Sequence, residues 1–210
     1  SHDMISIVIT CHGEARELST MLDCLMNQRK NVPVRHCETG AIVHWGQGEY
    51  VNIPYETIVV SDGPFLREDL RGRIDQIAEC NKEGGVGHAT RGVGIKLARG
   101  DWIVLTNADN YFVSGWLDLI HRHTVPAVGM IYWSGVNNLW QWGARQSYLK
   151  RGCIDLSCVA VRAMIAKEVG FPFRNYDGDF DYIEACVNKI KSDEHHYQIY
   201  GLPQFLCVHN

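Results

Sequence analysis

The sequence predicts an α/β protein with a mostly parallel central sheet flanked by helices, and three observations support this fold class. Short β-rich apolar segments alternate along the chain with segments whose apolar residues recur at helical spacing. The segment Trp102–Thr106 is apolar apart from its last residue, as expected of a strand buried on both faces. No linker, repeat or low-complexity stretch divides the 210 residues, so we expect a single domain over residues 1–210.

Composition excludes several classes of protein. Hydrophobic residues make up 46% and charged residues 21%, which is ordinary for a globular domain, and no apolar run approaches the roughly 18 residues of a membrane span. The net charge of -4 gives no electrostatic basis for nucleic-acid binding. Eight cysteines without a Cys-x-x-Cys pair favour reduced thiols over a zinc site. We therefore expect a soluble cytoplasmic protein, free or peripheral to a membrane, in which residues 1–3 are a cloning scar.

The first half of the chain gives clear element signals. The strand Ile5–Thr10 precedes an apolar helical stripe over residues 18–26. A second strand, Thr57–Ser61, ends at an Asp-Gly-Pro turn, and apolar residues at helical spacing then predict a helix over residues 66–78. A third helix, Ala89–Arg99, ends before a glycine, as helices often do.

The second half continues the alternation with shorter elements. The predicted elements after Trp102–Thr106 are a helix at Trp116–His121, strands at Val128–Trp133 and Ile154–Val161, and helices at Ala163–Val169 and 180–190.

Two connecting segments are much longer than the usual two to six residues. In residues 31–56, β-rich runs on either side of Gly46-Gln47-Gly48 predict an inserted hairpin. Residues 134–152 form a polar loop that contains two tryptophans. Long connections of this kind either carry function or pack as surface flaps, and both alternatives stay open for the insertion.

Polar side chains follow three of the predicted strands. Ligands of open α/β sheets bind beyond the carboxyl ends of the strands, so we expect these side chains to meet at one edge. A carboxylate at such an edge is costly to bury unless it is paired or binds a metal. The residues concerned are Thr10, His12 and Glu14 after the first strand, Asp62 and Gly63 after the second, and Asn107, Ala108 and Asp109 after the third.

A divalent cation and an anionic ligand fit this edge. Mg²⁺ and Mn²⁺ take oxygen ligands, often one or two carboxylates together with substrate phosphates, and Asp109 offers a carboxylate. Arg91 lies in the first turn of the helix that leads to this strand, where exposed backbone amides also favour an anion. By itself an Asp-Asn pair after a strand is also a common turn.

Four segments in order carry a recognisable pattern. They are Ile5–Thr10 with its helix, Val59–Pro64, Arg91–Asn110, and Val169–Phe171 followed by Asp177–Tyr182. These segments resemble the opening unit, the Asp-Asp-Gly-Ser strand end, the Ala-Arg-Asn-x-Gly and Asp-x-Asp motifs, and the Gly-Gly-Phe … Glu-Asp segment of the family-2 glycosyltransferases of the GT-A fold. The resemblance covers most of the chain and implies a single Rossmann-like GT-A domain.

The resemblance implies a donor site. Thr10 and Asp62 would contact the nucleotide base and Arg91 the base or diphosphate, while Asp109 would ligate Mn²⁺ or Mg²⁺ and His209 would add a metal or diphosphate contact. With the neighbouring strand-end residues, the predicted nucleotide-binding set is Thr10, His12, Glu14, Asp62, Arg91, Asn107 and Ala108.

The implied reaction is metal-dependent, inverting transfer of a sugar from a nucleotide-diphosphate donor, a UDP-sugar, to an acceptor hydroxyl. Asp179 matches the Asp of the Glu-Asp motif and would be the general base that removes the hydroxyl proton. Asp177 and Asp181 remain alternatives, because an acidic residue at a helix start also has a purely structural role.

The acceptor, a glycan or another hydroxyl compound, is expected on the side of the 134–152 loop. Tryptophan faces stack on sugar rings, which makes Trp133, Trp140 and Trp142, with Asp181, the candidate acceptor-binding residues. The alternative is an aromatic patch that only seals the loop.

Several motif positions depart from the family pattern. Ser61, Asn107 and Gly178 each replace the first carboxylate of a pair, and Gly92 replaces an asparagine. Two other functions therefore stay open: a nucleotidyltransferase, and a non-catalytic module that binds sugar or nucleotide. The chain length also allows this to be a catalytic domain of a longer protein.

Overall fold

The order of strands and helices defines the architecture. The structure is a computed structural model that describes residues 3–81, 88–137 and 144–209. Its strands are β1 (Ile5–His12), β2 (Arg29–Arg35), β3 (Ile42–Tyr50), β4 (Tyr55–Asp62), β5 (Gln76–Cys80), β6 (Trp102–Asn107), β7 (Tyr111–Phe112), β8 (Val128–Asn137), β9 (Ala144–Arg145), β10 (Val159–Arg162) and β11 (Gln198–His209). Its helices are α1 (Leu18–Met26), α2 (His88–Leu97), α3 (Trp116–Arg122), α4 (Ala163–Val169) and α5 (Gly178–Ser192), with 3₁₀ turns at Glu68–Arg73 and Leu156–Cys158.

One central sheet holds most of the strands in the order β5-β4-β1-β6-β10-β8-β11-β7, with β9 paired to β8. The first four strands in this order run parallel to one another. Strand β10 is antiparallel to both of its neighbours, and β11 returns parallel to β8. The fold class predicted from the sequence, an α/β protein with a mostly parallel sheet between helices, is confirmed.

The sheet separates two apolar layers, because alternate side chains of a strand point to opposite faces. In β1, Ile7 faces the layer that contains α1 and α3, whereas Val8 faces the layer that contains α2, α4 and α5. The apolar spacing of α1 buries Leu18 and Leu22 against the sheet, as the helical stripe predicted. No helix in the described ranges is both long and apolar enough to cross a membrane.

The insertion forms a separate two-stranded ribbon of β2 and β3, so the predicted hairpin is present. Its turn lies between Arg35 and Ile42, not near Gly46-Gln47-Gly48, which lie within β3. Gly48 is required for packing: a Cβ there would lie 2.7 Å from the Cγ2 atom of Val32 on the paired strand. Cross-strand contact, rather than a turn, therefore explains this glycine.

The helix predicted over residues 66–78 is wrong. Glu68–Arg73 forms a 3₁₀ turn, and the following residues form β5, which pairs in parallel with β4. Ile77 packs in one apolar layer and Ala78 in the other, so the apolar residues at the end of this segment follow strand periodicity. Pairing with the otherwise open edge of β4 outweighs the helical spacing.

Two further strand assignments need correction. The strand predicted at Ile154–Val161 begins only at Val159, after a 3₁₀ turn over Leu156–Cys158. No sequence pattern predicted β11, which is the longest strand in the described residues and contains Gly201 and Pro203. Register shifts in its pairing with β8 accommodate these two residues, which are unfavourable inside a regular strand.

Candidate active site

A polar cavity of about 800 Å³ lies at the carboxyl ends of β1, β4 and β6. The pairing register places these strand ends side by side, with His12 opposite Asp62 and Thr10 opposite Asn107. The structure therefore brings the predicted strand-end residues together as the parallel arrangement requires. The predicted residues that line the cavity are Thr10, His12, Glu14, Asp62, Arg91, Asn107, Ala108 and Asp109.

Asn107 is held by hydrogen bonds inside this cavity. Thr10 Oγ1 donates to Asn107 Oδ1 at 2.7 Å, and Arg91 Nη2 approaches the same oxygen at 3.5 Å. Arg91 is only 6% exposed, so its charge is compensated by groups of the protein and, when present, of a ligand. The amide oxygen of Asn107 is one such group.

Asp179 provides the main compensation for the charge of Arg91. Arg91 Nη1 donates to Asp179 Oδ1, which brings the start of α5 against α2. Burial, the largest effect, raises the pKa of Asp179 above the ordinary aspartate value. Arg91 opposes this effect, Asp155 adds to it, and His209 lowers the pKa. The result is a half-buried carboxylate that retains its proton to a higher pH than a free aspartate does.

Asp109 lies in a turn that follows β6. The amide of Asn110 donates to the carbonyl of Asn107 at 3.2 Å and closes this turn, and Asn110 Nδ2 donates to Ser157 Oγ at 2.8 Å. The same Ser157 hydroxyl lies 3.0 Å from Thr106 Oγ1. The buried Ser157 therefore fixes the backbone that presents Asp109 to the cavity.

Asp155 is a residue of this region that the sequence did not reveal. Its Oδ1 accepts a hydrogen bond from the Ser157 amide at 2.8 Å, and its Oδ2 lies 3.8 Å from His209 Nδ1. Both Asp155 and His209 are close enough to Asp179 to influence its pKa. Asp155 precedes the 3₁₀ turn Leu156–Cys158 rather than following a strand, so its position does not fit the strand-end pattern.

His209 lies near the end of β11, and its buried Nδ1 atom has no hydrogen-bond partner among the described residues. Within those residues, no three His, Cys, Asp or Glu side chains are close enough together to enclose a metal ion. Asp109 lines the cavity and His209 does not, so a cation held by the Asp109 carboxylate would need oxygen atoms of a bound ligand to complete its coordination.

The predicted acceptor residues have different outcomes. Trp133 is fully buried in the core, where its ring meets Trp116 edge-on at 5.9 Å, so the prediction that it stacks on an acceptor is wrong. Trp140 and Trp142 lie outside the described residues. Asp181 is paired with Arg151 at 2.9 Å, at the end of the 134–152 loop, and its acceptor role stays a prediction.

The fold is similar to that of glycosyltransferases of known structure. No family model and no curated protein matches the chain. Among solved structures, TarS of S. aureus, a GT-A glycosyltransferase, is 13% identical over 99% of the chain, with a TM-score of 0.70. The mannosyltransferase PcManGT of Pyrobaculum calidifontis, in complex with GDP-Man and Mn²⁺, is 14% identical over 97% of the chain, with a TM-score of 0.62.

Other TarS structures, of residues 1–349, contain UDP or UDP-GlcNAc and give a TM-score of 0.68. The chain spans 36% of the longer TarS chain, 60% and 58% of these two complexes, and 56% of PcManGT. At these levels of identity the likeness shows the fold, and the GT-A fold implied by the sequence resemblance is thereby confirmed.

Proposed function

We propose that this chain is the catalytic domain of a metal-dependent, inverting glycosyltransferase that uses a UDP-sugar. The observation that carries the proposal is the polar cavity in which Asp62, Arg91 and Asp109 meet, with Asp179 bonded to Arg91 at the same site. The solved structures with UDP, UDP-GlcNAc and GDP-Man support a nucleotide-sugar donor for this fold.

The residues of the site have distinct tasks in the proposed reaction. Asp62, at the end of β4, accepts a hydrogen bond from the base, and Arg91 stabilises the diphosphate. Asp109 and His209 would hold Mn²⁺ or Mg²⁺, which when bound neutralises the charge that develops on the diphosphate leaving group. These residues orient the donor so that its anomeric carbon faces Asp179.

Asp179 acts as the general base. The acceptor hydroxyl is protonated at neutral pH and must lose its proton as the new glycosidic bond forms, and a positioned carboxylate contributes about 10²- to 10⁴-fold in rate. A pKa raised by burial makes Asp179 a better proton acceptor than an exposed aspartate. Because the carboxylate only takes the proton and does not attack the sugar, the displacement is direct and inverts the anomeric centre.

The test is sugar transfer, or donor hydrolysis, from UDP-GlcNAc and other UDP-sugars in the presence of Mn²⁺. Asp179→Asn is expected to lower kcat by at least about 10²-fold. Asp177→Asn is the matched control at the same helix start and should retain most of the activity, whereas Asp181→Asn tests the remaining alternative for the base. Loss of activity in either of these variants but not in Asp179→Asn would assign the base to that position instead.

A nucleotide-binding module without catalysis is the second candidate. Asn107 favours it, because this residue replaces a carboxylate and its oxygen already accepts hydrogen bonds from Thr10 and Arg91. Tight binding of UDP-sugars with no turnover for any acceptor would support the module and contradict the enzyme.

A further inference from the structure

The His88 ring and the Gly178 backbone share one buried space between α2 and α5. His88 is the first residue of α2 and is 4% exposed, with the Phe171 ring 5.4 Å away. A Cβ at Gly178 would lie 2.9 Å from His88 Nε2. No larger residue fits at position 178 while the ring stays in place. The His88 ring occupies the space that a side chain at position 178 would need.

The two hydrogen bonds of the ring specify its protonation. Nε2 lies 2.8 Å from the carbonyl oxygen of Asn175, and Nδ1 lies 2.7 Å from Arg91 Nη1. A carbonyl oxygen only accepts and a guanidinium only donates, so the imidazole that makes both bonds carries its proton on Nε2 alone. His88 therefore presents a lone pair to Arg91.

The guanidinium of Arg91 connects this ring to the carboxylate. The same Nη1 nitrogen that donates to His88 also donates to Asp179 Oδ1, and His88 Nδ1 lies 3.7 Å from that oxygen. An arginine side chain has many rotamers. The acceptor on His88 favours those in which the guanidinium also reaches Asp179. Among the described residues, the polar groups next to the ring are the Arg91 guanidinium, the Asp179 carboxylate and the Asn175 carbonyl.

We propose that His88 is a positioning residue, which holds the Arg91 guanidinium so that Arg91 orients the Asp179 carboxylate toward the acceptor hydroxyl. This inference rests on the proposed function for its catalytic consequence. The contact itself, between His88 and the Arg91–Asp179 pair, is a property of the protein without substrate. The two can therefore be tested separately.

Two amide variants separate the two bonds of the ring. In His88→Asn the side-chain oxygen lies near the position of Nδ1 and can accept from Arg91. In His88→Gln the amide nitrogen lies near Nε2 and can donate to Asn175, but the acceptor for Arg91 is lost. His88→Gln thus keeps the bond that anchors the helix start and removes the one that positions Arg91.

The expected result is that His88→Gln lowers kcat, measured at saturating UDP-sugar, roughly 10-fold or more. His88→Asn should recover most of the loss in kcat. Because Arg91 lowers the pKa of Asp179, its displacement in His88→Gln should raise that pKa, measured by NMR titration of the labelled carboxyl group in the absence of substrate. If the residue only fills space, the smaller His88→Asn should lose at least as much kcat as His88→Gln.

The proposal is overturned if the Asp179 titration is the same in His88→Gln and the wild type, or if His88→Asn loses as much kcat as His88→Gln or more. Absence of sugar transfer in the wild type would contradict the proposed function instead. In that case the NMR titration, which needs no turnover, still decides whether His88 positions Arg91.

Discussion

Arg91 is the residue that connects most parts of the candidate site. Its guanidinium contacts His88, Asn107 and Asp179, although the side chain is almost completely buried. Arginine remains protonated throughout the useful pH range, so it favours the ionised form of Asp179. Burial favours the neutral form and has the larger effect, because the pKa of Asp179 is raised overall. Arg91 thus limits how far burial raises the pKa of the proposed base.

The first prediction concerns the pH dependence of activity. A base must be deprotonated to act, so kcat is expected to fall as the pH decreases through the pKa of Asp179, which lies above the ordinary aspartate value. Arg91→Gln removes the charge that lowers this pKa, so the acid limb of kcat at saturating UDP-sugar should move to higher pH. Arg91→Lys keeps the charge and should move it less. If the acid limb of kcat in Arg91→Gln stays at the wild-type pH or moves to lower pH, the assignment of Asp179 as the general base is contradicted.

The candidate site was predictable from the sequence where backbone topology alone brings residues together. Thr10, Asp62 and Asn107 follow strands that run parallel, and their register requires them to meet. Asp155 and His88 were not identified because their roles depend on contacts between segments that are distant in the sequence. No local pattern shows that the ring of His88 fills the space beside Gly178.

At the scale of the elements, helices were predicted best where an apolar stripe faces one layer. The predicted helix Ala163–Val169 has the observed bounds of α4. The segment that forms β5 was misassigned because spacing by three or four residues also occurs by chance in a short strand and the turn before it. Which alternative forms depends on the open edge of β4, and this edge is a tertiary feature that the local sequence does not contain.

The contact between α2 and β1 depends on a glycine. A Cβ at Gly94 would lie 2.2 Å from the Cγ1 atom of Val8, and Val8 is fully buried in the sheet. A β-branched side chain has little rotamer freedom with which to avoid the added atom. The helix must therefore move away from the sheet if Gly94 is enlarged.

The second prediction is that Gly94→Ala lowers the free energy of unfolding by about 1–3 kcal/mol, measured by urea denaturation. Gly92→Ala is the matched control on the same helix. Its Cβ would lie 3.7 Å from Phe171, an ordinary contact, so the better helix propensity of alanine should leave stability unchanged or up to about 1 kcal/mol higher. Combining Gly94→Ala with Val8→Ala should recover part of the loss. Equal effects of Gly92→Ala and Gly94→Ala would contradict the packing argument.

At the scale of the whole molecule, the site joins two parts of the sheet. The cavity lies at the ends of β1, β4 and β6, which belong to the parallel part. The other residues come from the half of the chain that contains the mixed part of the sheet. These are Asp179 from α5, Asp155 from the segment before β10, and His209 from β11. A donor with its cation that contacts both groups of residues would link the two parts, so its binding free energy should add to the stability of the folded chain as a whole.

The third prediction follows from this linkage. A ligand at 100 times its Kd stabilises the folded state by about 2.7 kcal/mol, and each kcal/mol raises the Tm of a chain of this size by about 2–4 °C. UDP with Mn²⁺ should therefore raise the Tm by roughly 5–11 °C, and UDP alone by less.

In Asp109→Asn the increase in Tm that depends on Mn²⁺ should disappear while the effect of UDP alone remains. Asp69→Asn, a change at an exposed aspartate paired with Arg67, is the control and should respond like the wild type. A cation held by Asp109 and the diphosphate loses a charged ligand in Asp109→Asn. If Mn²⁺ still gave its full increase in Tm in this variant, the cation would bind elsewhere.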